Sequence, residues 1–274
     1  MNRTRIATAC SVALVVACVL MWAPELAEAQ DAEGWSAQSS HFQLRFGGGT
    51  RDKEMQLKSV SPSGTALDPS LFDFAVKEET TAYFINPGYS YKGFLDVRVI
   101  LAWYDYEIDA TSNTQPVLDN TVSVDTEFAY GLGVMVRYPL SDSFVMSLDV
   151  NYVVGEFENA NLKFSAANPL LASAEIGTIE WSELLISPML SYVTGGAFVP
   201  YVGIRYSKTS AEVDTTVTLP PNPTFTQTVE YEESDVWSGL IGTTILFMDG
   251  RLQVDIVIEL FNNEGIFGTV VYNF

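Results

Sequence analysis

Ile266-Phe267-Gly268-Thr269-Val270-Val271-Tyr272-Asn273-Phe274 are the last nine residues of a 274-residue chain. Counted back from the end, Phe274, Tyr272, Val270, Gly268 and Ile266 are aromatic, aliphatic or glycine. Phe267, Thr269, Val271 and Asn273 fall between them. Strand side chains alternate between two faces, so one face of this segment suits hydrocarbon throughout. The sequence stops on that face, with no polar tail after Phe274.

The pattern repeats upstream. Leu252, Val254, Ile256, Ile258 and Leu260 share a face, with Arg251, Gln253, Asp255 and Glu259 opposite. Trp237–Phe247 precedes them across Met248-Asp249-Gly250. Leu184, Ile186, Pro188, Leu190 and Tyr192 lead through Thr194-Gly195-Gly196-Ala197 to Phe198, Pro200, Val202, Ile204 and Tyr206. The longest hairpin runs from Thr121 to Phe157 around Pro139-Leu140-Ser141-Asp142. Its first arm puts Val122, Val124, Phe128, Tyr130, Leu132, Val134, Val136 and Tyr138 together, with Asp125, Glu127 and Arg137 opposite. Its return arm groups Phe144, Met146, Leu148, Val150, Tyr152 and Val154 against Asp149. In 93–108, Leu95, Val97, Val99, Leu101 and Trp103 oppose Asp96 and Arg98. His41–Gly48 reads as the first strand, and a second lies between about 71 and 85, stopping at Asn86-Pro87-Gly88. The count is ten antiparallel strands, with eight or twelve as alternatives. Short turns at 139–142, 194–197 and 248–250 alternate with long polar connections near 51–70, 109–120, 159–175 and 211–228.

The apolar faces end on aromatics. Tyr138, Phe144, Tyr192, Phe198, Phe247, Tyr272 and Phe274 fall near the short turns, and Trp103, Phe128, Tyr152, Tyr206 and Trp237 near the long connections. Ten residue steps of about 3.3 Å, tilted about 40°, climb about 25 Å, the height of the apolar band of a membrane barrel. The alternation, the paired aromatic edges and the aromatic terminal strand resemble bacterial outer-membrane β-barrels, in particular the small porin-like and OmpW-like barrel domains. Phe198-Val199-Pro200-Tyr201-Val202-Gly203 is similar to the strand openings of such barrels. The resemblance implies an all-β, up-and-down transmembrane barrel over residues 41–274, with both termini in the periplasm. It also implies that Tyr272 and Phe274 address the chain to the barrel-assembly machinery, and that the outer wall meets lipid and lipopolysaccharide. A soluble β-sandwich is the competing fold, but the charges opposite each apolar face favour a sheltered lumen.

Arg3 and Arg5, the apolar run Ile6–Trp22 and Ala27-Glu28-Ala29 read as a signal peptide over 1–29, followed by a short periplasmic segment at 30–40. A membrane anchor or lipidation at Cys18 are the rivals. Cys10 and Cys18 both fall inside that segment, so the mature chain carries no cysteine for disulfide or metal chemistry. The net charge of −20 leaves no footing for nucleic acid, which needs basic contacts to phosphate.

Asp96, Arg98, Asp125, Glu127, Arg137, Asp149, Glu183, Arg205, Arg251, Asp255 and Glu259 are predicted to face the lumen. They serve either as a selective constriction or as a salt-bridged filling, since eight strands leave an interior just filled by side chains and ten lie close to that limit. Glu156, Glu158, Glu212, Asp214, Glu230, Glu232, Glu233 and Asp235 crowd the predicted outer rim. They fit a solvated face better than a Ca²⁺ site, and no metal or other cofactor is expected. His41, the single histidine, falls at the start of strand one, the wrong end for the histidine chemistry of barrel proteases and lipid hydrolases. The leading expectation is a non-enzymatic channel for small solutes or ions. The alternative is a sealed barrel acting through acidic outer loops, and an enzyme is the least favoured.

Overall fold

A computed structural model of the chain describes residues 40–62, 74–112, 120–158, 160–164, 173–193, 195–218, 224–234 and 236–274. The signal segment expected at 1–29 lies outside them, as does Asp235.

In chain order the strands are β1 (His41–Pro62), β2 (Phe74–Tyr91), β3 (Leu95–Ser112), β4 (Asn120–Ser141), β5 (Phe144–Phe157) and β6 (Ala160–Phe164). They continue with β7 (Ser173–Tyr192), β8 (Phe198–Thr218), β9 (Thr224–Glu233), β10 (Trp237–Phe247), β11 (Leu252–Phe261) and β12 (Glu264–Asn273). Every pairing is antiparallel. β12 pairs with β1, from Gln43↔Asn273 to Asp52↔Glu264, and so closes the sheet on itself. Closure pairs the strand edges of the half that carries the termini, which a spanning sheet requires because lipid offers the backbone no hydrogen bonds.

The twelve segments make ten staves. β6 continues β5 along β4, and β9 and β10 share one stave, with Ser234 N–H→Glu54 O (3.1 Å) at the end of β9. Ten staves surround the half that carries the termini. Above Glu264 the β11–β12 hairpin has ended, and β9 pairs directly with β1 from Met55↔Glu233 to Pro62↔Gln227. The ring there has eight staves, few enough for side chains alone to fill it.

Two zones follow from side-chain chemistry, most plainly on strands whose alternation is unbroken. On β3, Val97, Val99, Leu101 and Trp103 face out in the lower half, and Asp105, Glu107 and Asp109 face out on the same parity above. The buried parity begins as Asp96 and Arg98 and becomes Ile100, Ala102, Tyr104, Tyr106, Ile108 and Ala110. β8 behaves alike. Val202, Ile204 and Tyr206 point out below Lys208, Glu212 and Asp214, while Ala211 and Val213 are buried above. The lower half is therefore apolar outside and polar inside, as a membrane span requires, and the upper half is charged outside and apolar inside, as water requires. The barrel crosses a membrane with its ten-stave half and extends beyond it with eight.

Several sequence expectations are corrected here. The described residues within the connections expected near 51–70, 109–120, 159–175 and 211–228 are strand, since β1 runs to Pro62, β3 to Ser112 and β8 to Thr218. Their outward face is charged and no longer looks like a lipid face. β2 continues through Asn86-Pro87-Gly88, with Pro87 opposite Leu44, and turns at Lys92-Gly93. Successive positive φ values of 47° and 72° there define a type I′-like hairpin. Val122 and Val124 face inward, not outward with Phe128. Between Tyr104 and Tyr106 the β3–β4 register slips, so Asp125 and Thr126 oppose Asp105 alone. Thr126 sits at φ 35° and donates to Asp105 Oδ1 from both N (2.7 Å) and Oγ1 (2.6 Å). This bulge flips the faces of β4.

An outward charge should be costly at mid-span and harmless above it. Val99→Arg should lower folding stability in bilayers by about 2–4 kcal/mol, whereas Glu107→Arg should stay within about 0.5 kcal/mol. Urea titration of the protein folded into lipid vesicles measures both, and equal effects would contradict the boundary between the two zones.

Candidate functional site: a charged lumen beneath an apolar seal

The odd positions of β1 carry Gln43, Arg45, Arg51 and Lys53 into the lumen, with Gly47 and Gly49 between. The glycines are room for neighbours: a Cβ on Gly49 would lie 2.4 Å from the Phe267 ring. Gly133 does the same for Arg98, where a Cβ would come within 2.7 Å of Nε.

Two ionic layers result. Nearer the termini, Asp96 accepts from Arg45 Nη2 (2.7 Å) and Arg137 Nη2 (2.8 Å). Beside it Arg98 Nη2 donates to Asp149 Oδ1 (2.5 Å) and Asn151 Oδ1 (2.7 Å). Higher up, Glu183 accepts from both Arg51 and Lys53, and Lys53 also donates to Thr209. Glu259 accepts from Arg205 Nη1 (2.7 Å) and Ser238 Oγ (2.5 Å). Arg51 and Arg205 each lie 5.8 Å from the Phe267 ring centre, in cation–π range. Glu233 accepts from Ser207 Oγ (2.8 Å), Thr209 N (3.0 Å) and Asn263 Nδ2 (2.8 Å). Asn263 belongs to the β11–β12 turn, so this bond tethers the hairpin tip where the ring narrows.

A cavity of about 280 Å³ joins the layers, reaching from Arg51, Glu183 and Tyr104 down to Arg45, Arg137 and Gln253. Asp149, Asp255, Tyr201 and Arg205 line it as well. Above it the eight-stave barrel is packed shut. Trp181 stacks on Phe157 (6.2 Å) and meets Tyr104 at a tilt (4.8 Å), and Tyr106 meets Phe157 at 6.0 Å. Ile108, Val122, Val124, Ile179 and Val213 fill the remainder.

Of the residues expected in the lumen, Asp96, Arg98, Arg137, Asp149, Glu183, Arg205, Asp255 and Glu259 lie in these layers or on the cavity wall. Two do not. Asp125 is exposed, because the bulge turns it away, and Arg251 is exposed on the short turn after Gly250. Glu127 is half-buried just below the bulge on the parity of Ala129. Glu233, expected on the rim, is buried beside Lys53 at 3.8 Å. Sequence reasoning missed Arg45, Arg51, Lys53, Glu78 and Trp181. Strand one runs on past Gly48 to Pro62, and its odd positions 51 and 53 continue the inward set.

The outer aromatics sit where the polarity changes. Trp103 packs on Phe128 (5.7 Å) and Tyr206 on Trp237 (5.2 Å), with Tyr152 half-buried at the same height as Leu132. At the other edge Phe144 meets Tyr192 (5.2 Å) and Tyr272 meets Phe274 (4.9 Å), and Tyr138, Phe198 and Phe247 are exposed. His41 Nε2 lies 3.1 Å from Asn273 Oδ1 on the terminal rim. Among the described residues no three carboxylate, imidazole or thiol groups converge as a metal ion would need.

No family model and no curated protein matches the chain. Among solved structures it is similar to the outer membrane protein OprG from Pseudomonas aeruginosa, at 12 % identity and TM-score 0.48, over 88 % of this chain and 98 % of that one. It is also similar to the translocator domain of autotransporter NalP from Neisseria meningitidis, at 9 % identity and TM-score 0.43, over 98 % of each. A third likeness is to the Pseudomonas putida toluene transporter TodX, at 11 % identity and TM-score 0.32, over 85 % and 89 %. Likenesses this distant assign no function, which rests on the geometry of the barrel itself.

Glu183 balances two buried cations at once. Glu183→Gln should destabilise the barrel by about 3 kcal/mol, because Arg51 and Lys53 lose their nearest carboxylate and keep only Glu259 and Glu233, each at 3.8 Å. Adding Lys53→Met should recover part of that loss. A double-mutant cycle by urea unfolding reads the coupling, and strict additivity would contradict it.

Proposed function

We propose that the chain is a non-enzymatic bacterial outer-membrane barrel that passes small solutes or ions through a lumen closed at rest. One observation carries this reading: a charge-lined cavity of about 280 Å³ occupies the membrane-level lumen, where a purely structural barrel needs only packing. The closure is the apolar stack around Trp181 and the Arg51–Glu183–Lys53 layer beneath it, which must part for transit. Short turns and both described chain ends share one rim, which suits a periplasmic side, and the eight-stave extension then stands outside the cell. Tyr272 and Phe274 on the terminal strand are the proposed contact for the barrel-assembly machinery. The aromatic edges meet lipid, with lipopolysaccharide on the outer side.

A second reading draws support from the apolar core of the extension, which is packed like that of a soluble domain. In it the barrel is sealed and acts through its acidic outer surface. Planar-bilayer recording separates the two. The native protein should give small, infrequent current steps, and Phe157→Ala, which loosens the stack on Trp181, should make them at least several-fold more frequent. Silence from both proteins at high loading would establish the sealed barrel and overturn the channel.

A further inference from the structure

The upper ionic layer sets the buried carboxylates of Glu78, Glu183, Glu233 and Glu259 against the cations of Arg51, Lys53 and Arg205. Glu183 is paired with Arg51 and Lys53, Glu259 with Arg205 at 2.7 Å, and Glu233 lies 3.8 Å from Lys53. Glu78 has no ion pair among the described residues, although it is wholly buried. Its Oε1 accepts from Thr80 Oγ1 (2.8 Å), and its Oε2 has no hydrogen-bond partner. Lys53 is its neighbour across the β1–β2 ladder, but that ammonium is turned to Glu183, Thr209 and Glu233. A dry carboxylate with one bare oxygen is relieved by taking up a proton.

That proton would sit inside the seal. Across the β2–β3 ladder Glu78 opposes Ile108 and Thr80 opposes Tyr106, and both partners belong to the apolar packing that shuts the eight-stave half. Outside it β2 carries Lys77 and Glu79, so Glu78 lies beyond the membrane span. Burial, the largest effect, pushes its carboxyl up from the ordinary value, with Lys53 opposing and Glu183 adding to the rise. The other inward groups are the ion-paired ones above, Glu127 of β4, half-buried below the bulge, and Tyr104, Tyr106 and Tyr231, which are uncharged below about pH 9. We propose that Glu78 is the proton switch of the closed lumen: protonated, it lies dry within the seal, and release of that proton to entering water loosens the stack on Trp181. The proposal deepens the channel reading by naming what frees the gate, and it rests on that reading only for transit, not for loosening of the seal. In the loosened state Glu78 is hydrated and behaves as an ordinary carboxyl. Between the ordinary value and the raised one, the closed state keeps a proton that the loosened state has lost. Closure therefore weakens as pH rises through that window, by at most about tenfold per pH unit for one proton, and levels off above it.

The test follows acrylamide quenching of Trp181 fluorescence in detergent micelles from about pH 5 to about pH 9, a span that starts just above the ordinary carboxylate value. The other tryptophans, Trp22, Trp35, Trp103 and Trp237, are replaced by Phe. Folding is verified by heat-modifiable gel mobility. Quenching should be weak at the acid end and rise several-fold with pH. Adding Glu78→Gln should hold it at the low value throughout, whereas His41→Gln, on the terminal rim, should leave the rise intact. If Glu78→Gln fails to fold, Glu78→Leu, which equally lacks the proton, takes its place. No rise with Glu78 present, or a rise that survives its replacement, overturns the switch. Planar-bilayer openings should climb along the same curve. Openings indifferent to pH, with Trp181 shielded throughout, overturn the switch and keep the channel. Quenching that follows pH, with no current at any pH, supports the switch and overturns the channel.

Discussion

Everything in this barrel depends on long strands, β3 the clearest, that keep their faces while the medium outside them changes. A strand assigns each side chain to a face by parity alone. Lipid demands an apolar outer face and a closed ladder, and water demands the reverse polarity. β3 meets both by changing residue type near Trp103, not by twisting or slipping. The aromatic pairs Trp103–Phe128 and Tyr206–Trp237 sit at that height because an amphipathic ring suits an interface.

Closing the ring then sets what the interior can be. Ten staves leave room between ionic layers, and eight leave none. The short β11–β12 hairpin produces the change, and Asn263 at its tip is bonded to Glu233, so the narrowing is tied into the upper ionic layer. Charges below and rings above are two solutions to one packing problem. Buried charge is tolerated where carboxylates are shared among several cations, and apolar packing takes over where the ring is too tight for that hydration and pairing.

The membrane half could be read from the sequence because its period-two pattern has the familiar sign. The terminal strand, the Thr121–Phe157 hairpin and the ten staves follow from it directly. What stayed hidden has a physical cause in each case. The upper strands carry acids on the outward parity and so look like loops when a lipid face is sought. The flip of Val122, Val124 and Asp125 depends on a bulge, signalled only by Asp105 opposite Thr126 across two strands. Arg51 and Lys53 were missed because Gly47 and Gly49 interrupt the inward set of β1, their purpose being room for rings that arrive from β2 and β12. Pairing among lumen charges is a matter of three dimensions: Arg51 and Glu183 are 132 positions apart.

The most direct test places a nitroxide spin label in turn at 97, 99, 101, 103, 105, 107 and 109 of β3 in bilayers, and measures its collisions with oxygen and with a water-soluble nickel chelate. Oxygen contact should peak near 99, and nickel contact should rise sharply from 105 onward, with the boundary at Trp103. Nickel contact as high at 97–101 as at 105–109 would mean that lipid never covers the lower face, and the account of one alternation serving two solvents would be wrong.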